Sequence, residues 1–210
     1  MKLKIPQIWV PKLFTFKPWT KNIRVGGASN SLQRIKGLVI AILKDATTLE
    51  LKLVSWSENI VTNAGDLYYA ERGALLTVGT PISPVPTNFT DANGVPDMIM
   101  ELYQNDGAAP AKTNDRSSPG TQVGTGKAID GTYPQVNDGD ADNTGAGVDI
   151  ITYRVSFGTT EVNGAIDDVI LTNPSPGASE PIIMHADGLA TTKTSSDTLK
   201  VFVNHEMLGS

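Results

Sequence analysis

The chain has 210 residues, 40% of them hydrophobic and 6% aromatic, with 20 glycines and 13 prolines, a mix that suits strands and loops better than long helices. It has no cysteine, which excludes disulfide scaffolds, thiol nucleophiles and cysteine-ligated zinc. The net charge of -5 is unevenly placed: residues 1–44 hold nine basic residues and no acid, whereas the rest holds 8 of the 17 basic residues and all 22 acids, so the two parts carry +9 and -14.

The first segment, residues 1–36, contains Pro6, Pro11 and Pro18, each of which disfavours helix at its own position and at the residue before it. The spacing predicts an extended N-terminal arm. Its apolar content, with Ile5, Ile8, Val10, Leu13, Ile23 and Val25 beside Trp9, Phe14, Phe16 and Trp19, is too high for an ordinary disordered tail. The four aromatics together with Lys12, Lys17, Lys21 and Arg24 are therefore the candidate partner-binding residues, aromatics for pockets and cations for an acidic surface. Gly26–Ser31 reads as a joint between this arm and the body. The prolines and lysines also interrupt any signal-peptide core, and the longest apolar run, Leu38–Leu43, is far below the ~20 residues of a membrane-spanning helix. Neither an export signal nor a membrane partner is expected.

The body begins with that apolar run, which by length alone suits a buried strand or a helix, and continues into Leu49–Leu53, whose alternation predicts a half-buried strand. Asn63–Leu76 predicts the one convincing helix, with Leu67, Ala70, Ala74 and Leu75 on one face. After a turn-rich stretch, Met98–Tyr103 reads as a strand, and residues 104–148 read as a long polar surface loop, a length that is normally functional or mobile. Ile150–Phe157 and Ala165–Leu171 predict a hairpin, Pro181–Ala186 a short strand, and Thr198–Asn204 a closing strand with Leu199, Val201 and Val203 inward. Phe202, on the opposite face, is expected either under a loop or against another subunit, and is the candidate assembly contact. Six to eight such strands predict an antiparallel β-sandwich or jelly-roll of mainly β class, spanning residues 37–210.

Motifs of chemistry are few. Asp138, Asp140 and Asp142 place carboxylates at every second residue, a spacing that can turn several oxygens toward calcium, so they form the one candidate metal site. The twelfth position counted from Asp138 is Asp149 rather than the EF-hand glutamate, which favours a solvated acidic loop whose conversion to asparagines leaves stability nearly unchanged. Gly124–Lys127 lacks the earlier glycine and the following Ser or Thr of a phosphate loop, and His185 and His205 lie in no spaced metal motif. Ser195–Asp197 reads as a turn, and Asp167 and Asp168, adjacent in a strand, point to opposite faces and cannot pair as acid and base. No enzyme and no cofactor is expected.

Several pieces, read in order, resemble a loose family of structural proteins of tailed bacteriophages. They are Thr62–Leu67 at the helix start, the Gly/Ala/Pro-rich Asn105–Asp115, the strand pair Thr152–Phe157 with Gly164–Leu171, and the closing Lys193–Phe202, KTSSDTLKVF. The resemblance covers about residues 60–204; Asp167–Asp168 stands where one Glu is typical, and Phe202–Val203 where a tryptophan is usual. It implies a virion structural protein with no catalytic residues to transfer. The expected function is a capsid decoration or cement protein, made in the host cytoplasm and seated on the capsid surface. Its expected partners, bound through the arm, are the major capsid protein and neighbouring copies. A tail fibre or baseplate component, meeting a host receptor through the 104–148 loop, is the alternative. Nucleic-acid binding by the arm ranks below protein recognition because its positive charges are sparse.

Overall fold

The computed structural model describes residues 36–77, 89–90, 96–175 and 177–206. The predicted arm and its candidate residues Trp9, Lys12, Phe14, Phe16, Lys17, Trp19, Lys21 and Arg24 lie outside the described residues.

The described chain runs β1 (Lys36–Asp45), β2 (Leu51–Val61), α1 (Asn63–Thr77), β3 (Ile99–Tyr103), β4 (Lys127–Ala128), β5 (Gln135–Val136), β6 (Ile150–Phe157), β7 (Gly164–Ile166), β8 (Asp168–Thr172), β9 (Ile182–Ala186), β10 (Thr191–Lys193) and β11 (Asp197–Glu206). Nine strands form one curled antiparallel sheet in the order β4-β3-β8-β9-β2-β1-β11-β6-β5, and β10 pairs with β7 in a small ribbon. The protein is thus mainly β and antiparallel, as its strand and turn pattern predicts.

Register assigns each side chain to one of two faces, because opposite residues in an antiparallel pair point the same way. On the inner face Val39, Ala41 and Leu43 of β1 stand beside Val203, Val201 and Leu199 of β11, and those beside Tyr153, Val155 and Phe157 of β6. With Met100, Leu102, Val169, Leu171, Met184 and Ala186 from the other half, they form the main core. On the outer face Ile40 and Ile42 join Phe202 in a second, smaller apolar cluster. The run Leu38–Leu43 is continuous rather than alternating because this central strand is buried on both faces.

Helix α1 starts at Thr62, whose Oγ1 accepts from the Gly65 N–H at 3.1 Å while its carbonyl accepts from Asp66 N at 2.9 Å, an N-cap that satisfies two first-turn donors. Gly65 comes so close to β9 that a Cβ there would meet the Ile183 carbonyl oxygen at 2.2 Å. The predicted buried face is corrected: Leu67 and Ala70 are exposed, and Tyr68 and Tyr69 are the residues turned inward. The tyrosines win because their rings stack edge-on with each other and, for Tyr69, with His205, and because the Tyr69 hydroxyl finds partners inside.

Most of residues 104–148 are exposed or half-buried, as the surface-loop reading expects, but the stretch is also pinned to the body. They supply β4 and β5 to the two edges of the sheet and bury Val123, Tyr133, Asp138 and Asn143. The buried polar groups of this stretch, Asp138 and Asn143, are bonded within the loop and to Asn204 of β11 rather than to water.

Candidate functional site

The candidate aspartates sit on the loop that covers β11, β1 and β6. Asp138 is buried and accepts from the Tyr133 hydroxyl at 2.8 Å and from Asn143 Nδ2 at 2.9 Å. Asp140 accepts from Arg154 Nη1 and Lys200 Nζ, both at 2.9 Å, and Asp142 from Lys44 Nζ at 2.8 Å and Lys200 Nζ at 2.9 Å. Partial burial pushes the Asp140 and Asp142 carboxyls up, but the backbone N–H of Asp142 on the first, Lys44 on the second and Lys200 on both outweigh it, so each ends below the ordinary carboxylate range. These carboxylates therefore hold the loop down, and their oxygens are spent on cations of the protein. No group of three or more metal-ligating side chains occurs among the described residues. The reading of a free acidic loop, indifferent to conversion to asparagine, is corrected accordingly: removing these charges would leave Lys44 and Lys200 without their carboxylate partners and Arg154 with Asp130 alone, at 2.7 Å.

Phe202 lies under this loop. It is fully buried, with the Lys200 ammonium 5.9 Å from its ring centroid and Ile40 and Ile42 beside it. The loop backbone closes over the cluster at Gly145, where a Cβ would meet Ile40 Cδ1 at 3.1 Å and Leu38 Cδ2 at 3.2 Å. Of the two expectations for Phe202, cover by a loop is the one observed, and its candidacy as an assembly contact is withdrawn. Phe202→Ala should cost about 3–5 kcal/mol by the usual scale for emptied aromatic sites, read from urea unfolding. A loss under about 1 kcal/mol would show that the loop does not close there.

The remaining chemistry-bearing side chains are also engaged inside the fold. His185 is fully buried, with Nε2 on Asp168 Oδ1 at 3.0 Å and Nδ1 on Asn114 Nδ2 at 2.8 Å, so neither ring nitrogen faces a reactant. Asp167 turns away from Asp168 to accept from Gly188 N at 3.2 Å and Ala190 N at 3.0 Å, which matches the expected opposite orientation. Buried Glu101 accepts from Tyr103 Oη at 2.7 Å, Arg116 Nε at 2.9 Å and Gln122 Nε2 at 3.1 Å. Lys127 of the glycine-rich stretch bonds the Ser156 carbonyl at 2.8 Å and Glu161 at 2.7 Å. His205 bonds Asn59 Nδ2 at 3.0 Å and the Tyr69 hydroxyl, which reaches Tyr153 Oη at 3.0 Å; burial lowers its pKa to about 3. The closing motif is likewise a folding element. Asp197 accepts from Thr194 N at 2.9 Å and Oγ1 at 2.6 Å and meets Lys52 at 2.6 Å, while Lys193 is buried against Asn163 Oδ1 at 2.8 Å.

What remains open is a surface that sequence reasoning missed. The turn between β1 and β2 and the first part of β2 expose Leu49 (68%), Leu51 (57%), Leu53 (37%), Val54 (45%) and Trp56 (61%). Among the described residues β2 pairs with β9 only over Asn59–Val61. Val54 and Trp56 face outward opposite Ile42 and Ile40, so the apolar outer face that the acidic loop covers over β11 and β1 continues uncovered onto β2. Alternation in Leu49–Leu53 pointed to a strand with one face buried; the strand is there, but its leucines extend past the core. The legible signal was the density of large apolar residues, from Leu49 to Trp56, in an otherwise polar neighbourhood.

A mainly β body with ionisable groups tied into its own framework and an exposed apolar hairpin is the class that fold and surface define. Compared with protein-family models, with curated proteins and with solved structures, the chain gives no match in any of the three.

Proposed function

We propose that the protein is a virion structural component, a decoration or cement protein that binds shell subunits through residues 1–35. The observation that carries this reading is the division of charge and apolarity along the chain. Residues 1–35 hold seven basic residues, no acid and four large aromatics, ahead of a body, residues 36–210, that holds ten basic and 22 acidic residues. A basic, aromatic-rich segment attached to an acidic body is suited to protein contact, in which aromatic anchors supply most of the binding energy. Repetition in a shell would multiply such contacts by avidity. The closing Lys193–Phe202 stretch, the most specific part of the phage resemblance, spans the end of β10, the turn and part of β11, a strand that contributes to both apolar clusters.

The test is removal of residues 1–35, which ends just before the first residue of β1. The truncated chain is expected to keep a cooperative melt and to be lost from purified particles, in which electron microscopy locates the full-length chain on the shell. Incorporation at the full-length level would overturn the arm as the anchor, and location on the tail would favour the fibre or baseplate reading.

A further inference from the structure

The uncovered apolar hairpin is a docking surface, and the chain itself contains a segment that fits it. We infer that Leu49–Trp56 receives the basic, aromatic N-terminal segment, residues 1–35, of a neighbouring copy, linking copies head to tail; this rests on the reading of that segment as the assembly arm.

Three observations converge. First, the turn and the first part of β2 carry five exposed large apolar residues within eight positions, with Leu49, Leu51 and Trp56 each more than half exposed, which is a contact surface rather than scattered surface leucines. Second, its rim is acidic. Glu50 in the turn before β2 and Glu58 on β2 lie along it, and Asp187 lies beside it where the Ser57 hydroxyl bonds the Asp187 carbonyl; all three are exposed and form no ion pair among the described residues. Lys52, the one cation within the patch, is already held by Asp45 at 3.0 Å and Asp197 at 2.6 Å. An incoming segment with Lys12, Lys17, Lys21 and Arg24 among its aromatics meets free acids, whereas a second body of net charge -12 would bring like charge to the same rim. Third, 35 residues of extended chain reach on the order of 100 Å, enough to cross to another copy.

The reading of residues 1–35 as the assembly arm makes a neighbouring copy the donor. Residues 1–35 enter β1 at Lys36, and Gly37 lies opposite Asn59, at the end of the hairpin away from its Leu49 tip. Donation to a second copy gives a heterologous contact, which repeats in an open or ring-like array as a shell requires.

The test uses the full chain alone, with a photo-crosslinking amino acid at Trp19 or Phe14, as an equal mixture of unlabelled and 15N-labelled copies. Cross-links into peptides covering residues 46–60 are expected, with mixed light–heavy pairs in the statistical proportion. Trp56→Ser with Leu51→Ser should lower their yield about tenfold, the loss of one strong anchor, without changing the melt because both residues are exposed. Added salt should lower it as well. Only light–light and heavy–heavy links would mean that the segment folds back on its own body. Links mapping elsewhere, or none, or a yield indifferent to the double substitution, would also overturn the proposal. No capsid protein is present, so these outcomes are separate from particle incorporation, which tests the virion reading itself.

Discussion

Val201→Asp should yield a chain with no cooperative unfolding transition by circular dichroism and no dispersed amide spectrum. Val201 is fully buried at the middle of β11, opposite Ala41 on one neighbour and Val155 on the other, and its face packs into the main core. A carboxylate there would lie among aliphatic side chains, and burying a charge without a partner costs several kcal/mol or forces local unfolding. Against a typical total stability of about 5–15 kcal/mol, that loss in a strand paired on both sides, with β1 and β6, is decisive. The same substitution at Leu67, 60% exposed on α1, should change stability by no more than about 0.5 kcal/mol. A wild-type melt for Val201→Asp would refute the register, and a collapse for Leu67→Asp would refute the tyrosine-inward orientation of the helix.

Acid should destabilise the protein through His205 well before its carboxylates are protonated. The imidazole is fully buried, and that burial lowers its pKa to about 3. In the unfolded chain it titrates near 6.5. The folded state therefore holds it neutral where the unfolded state takes up a proton. Stability is insensitive to this group above about pH 6.5, falls as pH drops toward about 3, and levels off for this group below that. Between pH 7 and 4.5 the loss is on the order of 2–3 kcal/mol. Asp197, held at about 2 by Lys52 and Thr194, stays ionised over that window and is lost only at lower pH. Urea unfolding at the two pH values should show the decline in the native chain and a much smaller one in His205→Gln, which can still bond Asn59 and Tyr69. Equal declines in both would assign the acid sensitivity elsewhere.

The two predictions differ in how much of their basis could be read before the fold was known. The inward set Leu199, Val201 and Val203 follows from period-two alternation, and a one-residue slip would have reversed it. The burial of His205 does not follow from alternation alone. Its ring is enclosed by Tyr69 from a helix 136 positions earlier in the chain, and no local pattern encodes that distance. Tyr69 itself was missed because apolar periodicity favours leucine and alanine over tyrosine, whereas the interior rewarded the residue with a hydroxyl that could reach His205 and Tyr153.

The same division runs through the outer face. Phe202 was rightly set apart as a large aromatic opposite the core face, but its cover arrives from residues 138–145, pinned by Lys200, Arg154 and Lys44 to Asp140 and Asp142. The acidic spacing was visible and its purpose was not. Carboxylates at alternate positions serve a cation equally well whether it is calcium or three side chains brought in from β1, β6 and β11.

By itself the sequence determined the mainly β class, the positions of most strands and the inward face of β11, because these depend on local propensity and on alternation between adjacent residues. It also determined the division between a basic, aromatic N-terminal segment and an acidic body, which is composition alone. Only the tertiary structure decided which polar residues are buried, that β1 is covered on both faces, and that Leu49–Trp56 is left bare by the described residues. Burial is a property of what packs on a residue from elsewhere in the chain. The acidic loop reaches β11 and β1 and stops, so two stretches with the same apolar character, Leu38–Leu43 and Leu49–Trp56, end on opposite sides of the boundary with water.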